Sequence, residues 1–130
     1  MQENTVMDNT LVWADIPVRD LERAMAFYAG LLDVPVHAQH EEGMDFAMLR
    51  HDGSNAAACL GPMDQYHQPG GGGPLIYLGL NDRLKEAEAR VPTLGGKVLE
   101  PLHTMGIHGS RVIIEDTEGN RLALYAPPAA

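Results

Sequence analysis

The chain carries two copies of one plan, and that repeat limits its fold more than any other feature. In the first copy, Leu11–Val18 alternates, with Val12, Ala14, Ile16 and Val18 forming one apolar face, the period of a strand packed on a core. Asp20 then stands where a helix N-cap belongs, and Leu21, Ala24, Met25, Tyr28 and Leu31 follow at helical spacing. The pair Val34-Pro35 stops that helix. Val36–His40, Met44–Arg50 and Ala56–Leu60 read as three strands, parted by Glu42-Gly43 and by Asp52-Gly53-Ser54-Asn55. In the second copy, Pro74–Leu80 reads as a strand with Ile76, Leu78 and Leu80 on one face, and Asn81-Asp82 as an N-cap. Leu84, Ala87, Val91 and Leu94 then keep helical spacing, with Pro92 and Gly95-Gly96 as stop signals. Lys97–Leu102, Ser110–Glu115 and Arg121–Ala126 complete it. A shift of 62 residues carries Val18 onto Leu80 and Asp20 onto Asp82, and a shift of 64 carries Asp52 onto Asp116 and Leu60 onto Leu124.

Each copy makes a sheet with one apolar face and a single helix to cover it. The expected fold is therefore α+β, with two βαβββ modules side by side forming a cup-shaped mixed sheet and the helices outside. The whole chain, 1–130, reads as one domain, with module 1 over about 11–63 and module 2 over about 74–127. The Gly-rich stretch 64–73 between them, with four consecutive glycines, reads as a flexible linker.

Composition excludes several partners. Nine Lys and Arg stand against 18 Asp and Glu, a net charge of −9, so a phosphate backbone or an anionic membrane surface is disfavoured. No apolar run reaches the ~18 residues of a membrane helix. The opening MQENTVMDNT has no basic region followed by an apolar stretch, which sets the expectation of a cytoplasmic protein without a signal peptide. The single Cys59 rules out an intramolecular disulfide and reads as an inert buried thiol.

Strand parity selects the candidate site. If Val12, Ile16 and Val18 face the helix, Trp13 and Asp15 face the cup; by the same rule so do Tyr77 and Gly79, and Arg121, Ala123 and Tyr125. Trp13, Asp15, Tyr77, Arg121 and Tyr125, with Met48 as pliable lining, are the expected ligand-binding residues. Trp13 and Tyr77 read equally well as core or dimer contacts, and Asp15 and Arg121 as a mutual ion pair. His37, His40, His51 and His67 read as solvated or locally bonded. His103 and His108 flank the loop Leu102–Gly109 and are, with Asp15, the candidates for general acid/base chemistry.

Two stretches, Asp15–Tyr28 (DIPVRDLERAMAFY) and Glu115–Tyr125 (EDTEGNRLALY), resemble vicinal oxygen chelate proteins, the superfamily of glyoxalase I, bleomycin-resistance proteins and extradiol dioxygenases. The resemblance runs from about Leu11 to Pro127 and implies the βαβββ repeat, pairing into a homodimer, and four metal-ligand positions on the concave face. Carried over one at a time, those positions read Trp13, Leu75, Ala123 and one of Ala57, Ala58 or Cys59. Three offer no lone pair to a divalent ion, so no metal and no cofactor is expected. The expected function is metal-independent binding of a small organic molecule, cationic or aromatic, of the sequestration or resistance type. The alternative is a glyoxalase-related lyase or isomerase working through Asp15, His103 or His108, with or without a metal held at other positions.

Overall fold

The computed structural model describes residues 13–51 and 56–128. Along the chain run β1 (Trp13–Val18), α1 (Leu21–Leu32), β2 (Ala38–Glu41), β3 (Met44–Met48), β4 (Ala57–Pro62), β5 (Ile76–Gly79), α2 (Leu84–Arg90), β6 (Lys97–Thr104), β7 (Ser110–Glu115) and β8 (Arg121–Ala126). Short 3-10 turns at Asn81–Arg83 and Gly106–His108 precede α2 and β7. The repeat is plain in the topology: one sheet has the order β1-β4-β3-β2 and the other β5-β8-β7-β6. In each, the first strand lies parallel to the last, a pairing that needs a long crossover, and the helix lies in that crossover.

The two βαβββ modules lie as expected, each as a four-stranded mixed sheet, with no ladder between β1 and β5 among the described residues. A common core joins them instead. Ile16 and Val18 of β1, Leu60 of β4, Val112 and Ile114 of β7, and Leu122 and Leu124 of β8 are buried with Phe27, Tyr28 and Leu31 of α1 and Leu84 and Ala87 of α2. Each such aliphatic side chain removed from water contributes about 1.5–3 kcal/mol. The alternation read from the sequence holds on the first strand of each module: Ile16, Val18, Ile76 and Leu78 join this core, while Trp13, Asp15, Tyr77 and Gly79 are exposed on the opposite face. Val12 lies outside the described residues.

Helix α1 starts as expected, with Asp20 Oδ1 accepting the Arg23 N–H at 3.0 Å. It ends at Asp33, whose φ of 58° closes the last turn in the left-handed region. Its own last turn has no basic residue. The free carbonyls of Gly30 and Leu32 accept instead from Arg90 and Arg83 of the second module, at 3.0 and 3.1 Å.

The second helix departs from its expected form. Asn81 adopts a φ of 55° and no side chain caps the turn or α2, because the chain enters through a 3-10 turn that puts Leu80 and Arg83, rather than Asn81 or Asp82, at the cap positions. The helix stops at Arg90, and Val91–Gly95 form tight turns that include Pro92, which lacks a donor to carry the helix further.

The Glu115–Tyr125 stretch acts as a clasp between the modules. Glu118 Oε1 accepts the N–H groups of Arg19 and Asp20 at 2.7 and 2.9 Å, and both carboxylate oxygens take the Arg23 guanidinium, at 2.8 and 2.9 Å. The Tyr28 hydroxyl donates to Asp116 at 2.7 Å, and the Asn120 amide donates to the Pro17 carbonyl at 2.8 Å. Burial alone would raise the Glu118 carboxyl; the hydrogen bonds from Arg23, Thr117, Asp20 and Arg19 outweigh it and hold the group at about 2. The segment before β5 is docked rather than free. Arg121 N–H donates to the Gly70 carbonyl at 3.3 Å, and a Cβ on Gly71 would stand 3.1 Å from the Arg121 guanidinium.

Candidate functional site

With helices on one side, each sheet presents its other face to solvent, and β1 and β5 border the seam between those faces. Trp13 and Tyr77, each 43% exposed, line one end of the seam, an open groove of about 250 Å³. Asp15, Tyr77 and Arg121 line a larger crevice of about 660 Å³, roofed by the segment around Gly70–Gly72. Four of the expected binding residues thus gather along one seam. Tyr125 stands on the neighbouring strand β8, and Met48 two strands from the seam, level with Cys59.

On the first sheet, Asp15 is the organising group. Its Oδ1 accepts the Trp13 indole N–H at 2.8 Å and the Cys59 thiol at 3.2 Å. The indole edge is therefore held while the ring remains open to a ligand. Trp13, Asp15, Phe46 and Cys59 share a hollow of about 350 Å³ with Asp64 and His67 at its rim. The ion pair Asp15–Arg121 allowed by the sequence is absent, since Asp15 is turned to its own sheet and Arg121 to the glycine segment. Cys59 is a buried free thiol; burial and the adjacent Asp15 push it up to about 11, so it stays protonated.

On the second sheet the aromatic pair is Tyr77 and Tyr125, ring centroids 6.1 Å apart and edge-on at 70°. Tyr125 donates to the His108 carbonyl at 2.8 Å, which ties the loop to the sheet. His103 lies on this face, whereas the His108 imidazole is exposed on the loop. Sequence reading missed Arg111. Its Nη1 donates to the Tyr77 hydroxyl at 2.6 Å and its Nε to His103 Nε2 at 3.0 Å. The signal was available, since Val112 and Ile114 are core and put Arg111 on the same face as Tyr125, its cross-strand partner. Of the other histidines, His40 meets Asp45 at 2.6 Å and His67 meets Asp64 at 3.4 Å, while His37 and His51 are exposed.

The ladders identify the fourth ligand position that the sequence left open. Asp15 pairs with Cys59 as Tyr77 pairs with Ala123, so Cys59 is the counterpart of Ala123, and Ala58 packs into the core. The positions carried over from the resemblance then read Trp13, Cys59, Leu75 and Ala123. That donor set does not fit a divalent ion: an indole N–H, two alkyl groups and a thiol kept protonated by its setting supply no ligand sphere. Among the described residues, no three His, Cys, Asp or Glu side chains converge elsewhere as a metal site.

Comparison with known proteins follows the same lines. A structure of a glyoxalase/bleomycin resistance protein from Albidiferax ferrireducens T118 superposes with a TM-score of 0.75 at 18% identity, over 92% of this chain and 100% of that one. The antibiotic binding protein TnmS3 from Streptomyces sp. CB03234 gives 0.71 at 21% identity, over 95% and 100%. A superfamily member from Sphaerobacter thermophilus DSM 20745 gives 0.67 at 23% identity, over 93% and 99%. At these identities the likeness shows the fold alone. Among curated protein sequences, none matches. Among the described residues, no helix is long and apolar enough to cross a membrane. The family model for the Glyoxalase/Bleomycin resistance protein/Dioxygenase superfamily matches residues 10–124, nearly the whole chain, and this chain belongs to that superfamily.

Proposed function

We propose that the chain is a metal-independent binding protein that holds a small, planar organic molecule against the open faces of its sheets. The observation that carries this reading is the pair of exposed aromatic rings, Trp13 and Tyr77, bordering the seam, and the donor-poor residues Trp13, Cys59, Leu75 and Ala123 at the positions the resemblance assigns to metal ligands support it. Open apolar surface with a few fixed polar groups suits ligand capture. The antibiotic binding described for TnmS3 makes sequestration a natural use of the same fold. On the first sheet, Asp15 with Asp64 at the rim suits a ligand with a cationic group over the Trp13 ring. A homodimer that covers part of the two open faces, in the cytoplasm, completes the reading.

The lyase or isomerase alternative has weaker support. Both ring nitrogens of His103 are engaged, Nε2 by Arg111 and Nδ1 by the Pro101 carbonyl at 2.9 Å, and Asp15 already holds two donors. A free acid/base group at the seam is what that chemistry requires.

Metal analysis of the purified protein, with thermal-shift scans against Ni²⁺, Zn²⁺, Mn²⁺ and Fe²⁺, tests the proposal. Sub-stoichiometric metal and no stabilisation are expected; one bound ion per chain, or strong stabilisation at low excess, overturns it.

A further inference from the structure

Two opposite charges line one crevice of the seam without meeting each other. Asp15 and Arg121 both border the space of about 660 Å³ beneath the glycine segment. Asp15 uses only Oδ1, on the Trp13 indole and the Cys59 thiol, and its Oδ2 accepts nothing among the described residues. Arg121 gives its backbone N–H to the Gly70 carbonyl at 3.3 Å. Its guanidinium lies against Gly71 and has no hydrogen-bond or ion-pair partner among the described residues. Glu115 stands opposite Arg121 in the ladder and forms no ion pair with it. Three other polar side chains at the crevice are taken: His67 meets Asp64 at 3.4 Å, the Tyr77 hydroxyl takes Arg111, and Asn120 donates to Pro17 and Asp116. One carboxylate oxygen and one guanidinium are left unused.

The two groups lie within the span of one small molecule. The Asn120 amide on the Pro17 carbonyl, at 2.8 Å, brings the start of β8 to β1, and Asp15 lies two residues, about 7 Å, further back along that strand. The crevice wall between the sheets is apolar, with Leu75 and Ile76 half-buried and Tyr77 exposed. The glycine segment roofs it and is pinned to β8 through Gly70, whose N–H also donates to Asn120 Oδ1 at 3.4 Å. Charges partly shielded from water act more strongly on what lies between them. A ring can rest on Leu75, Ile76 and Tyr77 while an amine reaches Asp15 Oδ2 and a carboxylate reaches the Arg121 guanidinium, the planar pairing that Arg makes best.

Resting on the binding reading above, we propose that this crevice is a subsite for aromatic zwitterions, molecules that carry an amine and a carboxylate beside one ring, with Asp15 and Arg121 as the specificity-determining residues. The net charge of −9 attracts a lone cation and repels a lone anion from a distance, but it leaves a neutral zwitterion to the contacts themselves. At physiological ionic strength screening acts over about 8 Å, so those contacts outweigh the distant acids.

The test is calorimetric titration of the full chain with L-phenylalanine, with phenethylamine, which lacks the carboxylate, and with 3-phenylpropanoate, which lacks the amine. Phenylalanine should bind about tenfold or more tightly than either, the worth of one charge-assisted contact. Arg121→Gln should erase its advantage over phenethylamine, and Asp15→Asn its advantage over 3-phenylpropanoate. Thermal melts establish which variants fold, and the three-ligand comparison on the unaltered chain stands without them. A single-charge analogue that binds as well as phenylalanine, or an advantage that survives its matching substitution, overturns the zwitterion subsite and leaves the binding reading in place. If none of the three binds, the subsite falls, and the metal analysis above judges the binding reading separately.

Discussion

Glu118 does most to join the two halves, because one carboxylate takes up two N–H groups and a guanidinium from the start of α1. Its folded value of about 2 lies below the ordinary 4.5. A depressed carboxylate contributes stability that is present above its unfolded value and lost as pH falls from there toward 2. Glu118→Gln should therefore cost about 2–3 kcal/mol near neutral pH, measured by urea unfolding, and the gap should close progressively below about pH 4. Tyr28 is the second such residue. Burial first, and the neighbouring Asp116 second, push its hydroxyl well above 10, so it stays a neutral donor to that carboxylate. Tyr28→Phe should destabilise by about 1–2 kcal/mol in the same assay, as loss of a buried hydrogen bond to a charged group does.

Helix α1 depends on the other module at both ends. The N–H groups of Arg19 and of its N-cap Asp20 meet Glu118, and its last carbonyls meet Arg83 and Arg90. Arg90→Ala should lower the melting temperature by a few degrees, corresponding to about 1 kcal/mol, and a helix that needed no outside cap would show no change. The start of β6 is tighter still. A Cβ on Gly96 would stand 2.7 Å from both the Phe27 ring and the Glu115 carbonyl, so Gly96→Ala should cost about 1–3 kcal/mol by overpacking. Ile16, 2% exposed, anchors β1 on α1, and Ile16→Ala should cost about 2–5 kcal/mol in equilibrium unfolding while leaving Trp13 on the outer face.

For the whole molecule the question is what covers the open faces. Trp13, Met44 and Tyr77 are large apolar or aromatic groups with more than a third of their surface exposed, and every residue of β2, at one sheet's edge, is exposed. A homodimer hides such surface at low cost, and analytical ultracentrifugation at micromolar concentrations should give twice the 14.1 kDa chain mass. A species that stays at one chain's mass counts against it. Trp13 is the only tryptophan, so its emission reports on the seam alone. A planar ligand should quench or shift it, and Asp15→Asn should weaken binding of a cationic ligand with the melting temperature preserved. Emission unchanged at saturation would place the ligand elsewhere.

Alternation and repetition in the sequence were enough to determine the strands, the first helix, the two-module plan and the inward or outward sense of Trp13, Ile16, Tyr77 and Leu124. These follow from local sterics and from the need to bury every second side chain, which act within a few residues. The donor-poor character of Trp13, Leu75 and Ala123 was equally legible, since side-chain chemistry needs no coordinates. Only the tertiary structure decided that Cys59, and not Ala58, stands opposite Asp15, because loop lengths do not specify a ladder's register. It alone turned Asp15 toward Trp13 and Cys59, set Arg111 on Tyr77 and His103, and carried Glu118 to a helix 98 residues away in sequence. Apart from Trp13–Asp15 and His103–Arg111, those contacts join residues far apart along the chain, and their partners are chosen by tertiary packing rather than by any local pattern.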